Sequence, residues 1–89
     1  MIERTEIREI LFELFEAETG EKIESLNDDQ GLAEQLGLDS VDMVSLIMQL
    51  ERRFKIRMTH EELIGAKEVR LLLDLVQRKV AELPVVSAT

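Results

Sequence analysis

The sequence predicts an all-α fold: a small four-helix bundle of three longer helices and one short one, with a long loop between the first two. Three observations carry that prediction. Apolar residues recur at helical spacing in three separate stretches. No stretch alternates long enough to form a strand. Helix-start and helix-stop residues stand at the borders of the periodic stretches. Eighty-nine residues make one domain with a modest core. It is expected to occupy residues 1–83, with 84–89 a flexible C-terminal tail beyond the stop at Pro84.

In the first helix, over residues 3–18, Ile7, Ile10, Leu11, Leu14 and Phe15 follow the i, i+3, i+4, i+7, i+8 pattern of an amphipathic helix. Phe12 widens the stripe, and Gly20 is a helix stop. From Gly20 to Asp39 the pattern fades. Asn27-Asp28-Asp29-Gln30-Gly31 is a turn cluster, and the connector is expected to lack secondary structure of its own. Connectors of that length are unusual in a compact domain, so Ile23, Leu26, Leu32 and Leu36 are expected to pin it to the core. Its acids do not form a calcium loop. With Gly31 at the sixth position, Leu26 and Gly37 fall where ligands are needed.

The second helix spans residues 40–54. Asp39 and Ser40 are both N-cap residue types, and Asp39 with Asp42 resembles a capping box. Val41, Met43, Val44, Leu46, Ile47, Met48, Leu50 and Phe54 exceed one narrow stripe, so this helix is either nearly buried or offers an apolar strip to a partner. Met43 is assigned to the core and Met48 to the surface. Thr59-His60-Glu61-Glu62 is a capping box that opens a short helix ending near Gly65. The last helix, over residues 67–82, aligns Val69, Leu72, Leu73, Val76 and Val80, with Arg78 and Lys79 suiting its C-terminal dipole. Its start lacks a Ser, Thr, Asp or Asn cap.

The net charge of −8 is uneven. Residues 1–39 hold twelve acids against three bases, a balance of −9, and residues 40–89 hold seven against eight, a balance of +1. Such a chain is a poor nucleic-acid binder. It has no cysteine, which excludes disulfides and thiolate metal sites, and His60 stands alone as a metal ligand. A charged start and apolar runs of no more than three residues, Leu71-Leu72-Leu73 among them, predict no membrane insertion and a soluble, cytoplasmic, monomeric protein. A triad of Ser40, His60 and an aspartate has no spacing to support it, and His60 beside Glu61 and Glu62 reads as a first-turn surface residue.

The stretch Leu36-Gly37-Leu38-Asp39-Ser40-Val41-Asp42-Met43-Val44, followed by Leu46, Leu50-Glu51 and Phe54, resembles the acyl carrier protein family. The resemblance covers essentially the whole chain and is most specific over residues 32–58. It implies that Ser40 carries 4′-phosphopantetheine, attached by a separate phosphopantetheinyl transferase that Asp39 and Asp42 help to dock. The thiol of that arm would hold acyl or aminoacyl groups delivered by a loading ligase or synthase, and the chain itself would not be an enzyme. Val41, Val44 and Met48 match the apolar positions partners read. Leu32, Ala33, Leu50, Met58 and Ala66 match positions around the family's acyl pocket. One departure stands out. Ser45, Arg52 and Arg53 replace glutamates usual in fatty-acid carriers, and Lys55 and Arg57 follow. From Ser40 to Met58 two acids face four bases, a balance of +2. Arg52 therefore joins the expected partner surface, and within fatty-acid, polyketide or other biosynthesis a specialised role is expected in place of housekeeping fatty-acid synthesis, whether polyketide, peptide or lipid-modifying or as a carrier paired with a dedicated ligase. The alternative is an unmodified helical interaction domain whose second helix docks a partner. The four bases fit either a docking patch or a solvated face.

Overall fold

The computed structural model describes residues 2–83, and every regular element among them is helical. The elements are α1 (Arg4–Thr19), α2 (Leu32–Leu36), α3 (Ser40–Phe54), α4 (His60–Gly65) and α5 (Val69–Ala81). Helix α1 packs against both α3 and α5, and α4 packs against α5. The tail expected over 84–89, with Pro84 as its stop, lies outside the described residues.

The predicted apolar stripes become the core. Ile7 and Leu11 of α1 meet Leu46 and Leu50 of α3 and Val69, Leu73 and Val76 of α5 in one cluster. Each such side chain withdrawn from water contributes roughly 1.5–3 kcal/mol before entropy is counted. Among the described residues no polar or charged side chain is buried. Polar contacts instead lie at the seams. Arg4 pairs with Asp74 between α1 and α5, and Glu18 accepts hydrogen bonds from Ser45 Oγ at 2.8 Å and Gln49 Nε2 at 2.6 Å between α1 and α3.

The connector departs from expectation. It contains a helix of its own, α2, which makes five helices among the described residues. Five residues are too few to show a period, and the element depends on its ends. Gly37 closes it in the left-handed conformation at φ 64°, where the Leu38 N–H reaches the Ala33 carbonyl at 3.0 Å. Of the four expected anchors, Leu32 is buried, and Leu26 and Leu36 are half-buried against the core. Ile23 is half-buried without joining that cluster.

Polar bonds hold the rest of the connector. The Gln35 side chain accepts from the Asn27 N–H at 2.6 Å and donates to the carbonyls of Asn27 at 2.6 Å and Gln30 at 3.1 Å. Arg8 donates to the Leu26 carbonyl at 3.2 Å and pairs with Asp28. This restrained loop supplies the cap that α5 lacks in sequence. The Val69 N–H donates to the Gln30 carbonyl at 2.9 Å and the Arg70 N–H to that of Asp28 at 3.0 Å. Two of the orphan donors of a helix start are thus satisfied by distant backbone. At Gly31 the connector passes so close to residue 67 that an added Cβ would meet the Lys67 carbonyl oxygen at 3.0 Å.

Candidate functional site

The two candidate caps at the head of α3 are resolved in favour of Asp39. Its backbone is extended, and its Oδ1 accepts from the Asp42 N–H at 2.8 Å. The reciprocal arm of the expected capping box does not form, because an aspartate at the third position is one methylene shorter than the glutamate that arm uses. At α4 both arms exist: Thr59 Oγ1 accepts from the Glu62 N–H at 3.1 Å, and Glu62 accepts from the Thr59 N–H at 2.9 Å. Capping by Asp39 leaves Ser40 as the first helical residue, exposed to solvent. The N–H groups of Ser40 and Val41 have no backbone acceptor among the described residues, and the positive end of a 15-residue helix lies beside the hydroxyl. That arrangement favours a phosphate on Ser40.

Ser40 also borders a cavity of about 650 Å³. Leu32 and Ala33 of α2 form one wall, and Met43, Val44, Ile47 and Met48 of α3 another. Leu63 and Ile64 of α4, Ala66 and Leu72 complete it, while Glu34, Glu51, His60 and Lys67 add polar groups. Three of the expected pocket residues, Leu32, Ala33 and Ala66, therefore line it. Leu50 and Met58 are buried in the core cluster and are absent from the cavity wall. Met43, assigned to the core, is half-buried against it and also faces the cavity, and Ile47, Leu63 and Ile64 line the cavity beside it. Their sequence signal is only that of core-forming helix residues.

Along the outer face of α3, Val41, Val44 and Met48 are exposed to 74%, 59% and 46%, too high for core positions. Arg52 continues the same face at the next turn, and Asp42 is exposed beside its start. On α4, Glu62 is committed to structure. Its bond to Lys79 at 2.7 Å, with the Thr59 N–H, lowers its carboxyl from 4.5 to about 2. His60 sits exposed at the first position of that helix. Among the described residues, no three metal-ligating side chains gather.

A family model for the phosphopantetheine attachment site matches residues 9–76, and Ser40 falls inside that span. The chain belongs to the acyl carrier protein family. It is 36% identical over 73 residues to the acyl carrier protein of Buchnera aphidicola, a match covering 82% of this chain and 86% of that relative. It is 31% identical to the acyl carrier protein of Saccharopolyspora erythraea, covering 98% and 92% respectively. The crystal structure of an acyl carrier protein from Thermotoga maritima superposes with a TM-score of 0.78 at 28% identity, covering 89% of this chain and 92% of that one. The protein is thus an acyl carrier, and its prosthetic group is phosphopantetheine. No helix among the described residues is long and apolar enough to cross a membrane.

Proposed function

We propose that Ser40 is the attachment residue, bonded through its hydroxyl oxygen to the phosphate of 4′-phosphopantetheine. The observation that carries this reading is the position of Ser40. It is exposed, first in α3, beside helix N–H groups without backbone acceptors among the described residues, and at the border of a largely apolar cavity. The residues fit the group on both sides of the bond. The helix start favours the phosphate, and the cavity offers an acyl chain somewhere to leave water. When bound, the arm supplies the thiol that holds an acyl or aminoacyl group as a thioester.

The chain's own residues position and recognise. Asp39 caps the start of the helix and so fixes the backbone on which Ser40 stands. Leu32, Ala33 and Ala66 form part of the acyl pocket, while Leu50 and Met58 back it from the core. Val41, Asp42, Val44, Met48 and Arg52 form the partner surface, read by a phosphopantetheinyl transferase and by a loading ligase or synthase. The chain catalyses no reaction itself and works as a cytoplasmic monomer in a specialised pathway.

Intact mass after incubation with coenzyme A and a broad-specificity transferase tests the assignment. A gain of one phosphopantetheine is expected on the wild-type chain and none on Ser40→Ala, whose far-UV circular dichroism should be unchanged. Modification of a folded Ser40→Ala chain would move the site elsewhere.

A further inference from the structure

Five of the eleven lysines and arginines make ion pairs with acids: Arg4, Arg8, Arg70, Arg78 and Lys79. The other six make none among the described residues: Lys22 and Lys67 singly, and Arg52, Arg53, Lys55 and Arg57 together, although the chain carries nineteen acids. All four are exposed within six residues at the far end of α3. The helix dipole accounts for cations in the last turn, which covers Arg52 and Arg53. It does not account for Lys55 or Arg57, which lie beyond the helix.

Lys55 carries a second signal. It closes α3 at φ 57°, the one left-handed residue other than glycine among those described. Glycine is favoured at such a position, so a lysine there gives up stability to place a charge. Beside it, Met48, Arg52, Ile56 and Arg57 surround a recess of about 270 Å³. Glu51 also borders the recess, but its Oε2 accepts from the Met58 N–H at 2.9 Å, and two guanidiniums outnumber it. The recess adjoins Met48, the last residue of the exposed apolar stripe.

We propose that this end of α3 docks an enzyme whose contact surface is an apolar patch bordered by aspartates or glutamates, with one carboxylate seated in the recess between Arg52 and Arg57. A bidentate guanidinium–carboxylate contact has the geometry to set register, and the apolar stripe supplies desolvated area. A protein is the occupant because the stripe and the cations form one surface of mixed chemistry. The proposal deepens the partner-surface reading above by naming the partner's charge, and only the direction of docking, with Ser40 presented to the partner, rests on the attachment reading.

The test uses the full chain carrying Ser40→Ala, so that its outcome is independent of the attachment assignment. The probe is a synthetic amphipathic helical peptide with leucines spaced i, i+3, i+7 and a glutamate cluster at one end. A matched peptide carries lysines in place of the glutamates, and phosphatidylglycerol vesicles form a third arm. Amide chemical shifts are followed. Saturable binding of the acidic peptide is expected, with shifts centred on residues 41–57 and loss on raising salt. The double variant Arg52→Glu/Arg57→Glu should weaken it by about tenfold or more. Lys55→Gly should weaken it by roughly two- to threefold while raising the melting temperature, which separates lost charge from lost folding. Equal binding of both peptides, no saturable binding of the acidic one, shifts outside α3, or binding to vesicles alone would each overturn the proposal.

Discussion

Helix α3 and the connector before it are neighbours in sequence and are held by opposite means. Four side chains of α3, Leu46, Ile47, Leu50 and Phe54, are buried, and a single side-chain bond caps its start. The connector buries only Leu32 fully among the residues between Gly20 and Asp39, and it depends on the Gln35 amide, Arg8 and two glycines. The contrast divides the labour at the site. Helix α3 sets where Ser40 stands. The connector sets the opposite wall of the cavity through Leu32 and Ala33, and at the same time caps α5. Apolar burial tolerates imprecise geometry, whereas hydrogen bonds specify it.

The largest effect should come from the apolar side. Leu50→Ala removes a fully buried side chain at the centre of the core and should cost about 3 kcal/mol or more, read as a lower denaturation midpoint. All helices should melt together, since the core cluster joins α1, α2, α3 and α5. A variant that loses only α3 would show that the bundle is less cooperative than its packing implies.

Gln35→Ala strikes the other region. Three hydrogen bonds disappear at a partly exposed site, worth together roughly 1–2 kcal/mol. Its signature should be local. Hydrogen exchange at the Val69 and Arg70 amides, which donate to connector carbonyls, should accelerate more than exchange within α3. Uniform acceleration across the chain would deny the connector a separate role.

At the junction of the two regions, Asp39→Ala should cost about 1 kcal/mol, the ordinary value of an N-cap. Modification at Ser40 should persist but slow, because the helix start frays. An unchanged modification rate would remove Asp39 from positioning Ser40.

The smallest effect is confined to acid. The Glu62 carboxyl, lowered from 4.5 to about 2 by Lys79 and the Thr59 N–H, binds its proton less readily folded than unfolded. Its contribution to stability is therefore present above the ordinary value near 4.5 and is lost as pH falls through about 2. Glu62→Gln should be less stable than wild type at neutral pH, and the difference should shrink across that window. A gap that stays constant down to pH 2 would contradict the assignment.

The short helix at residues 60–65 was legible because Thr59 and Glu62 are both needed for its cap and lie three residues apart. The stop at Gly20 and the stripe of Ile7, Leu11 and Phe15 were legible for the same reason. The five residues of α2 were not, since a single turn displays no period and its closing glycine looks like any loop glycine. The division of the pocket residues was equally hidden: Leu32, Ala33 and Ala66 reach the cavity, while Leu50 turns into the core.

The sequence by itself determined the helices with local signals and the serine at the head of α3, because periodicity and capping act between residues a few positions apart. Only the tertiary structure decided what caps α5, which side chains wall the cavity and which cations stay unpaired. Each of those depends on atoms brought together from distant segments, and side-chain spacing along the chain carries no record of them.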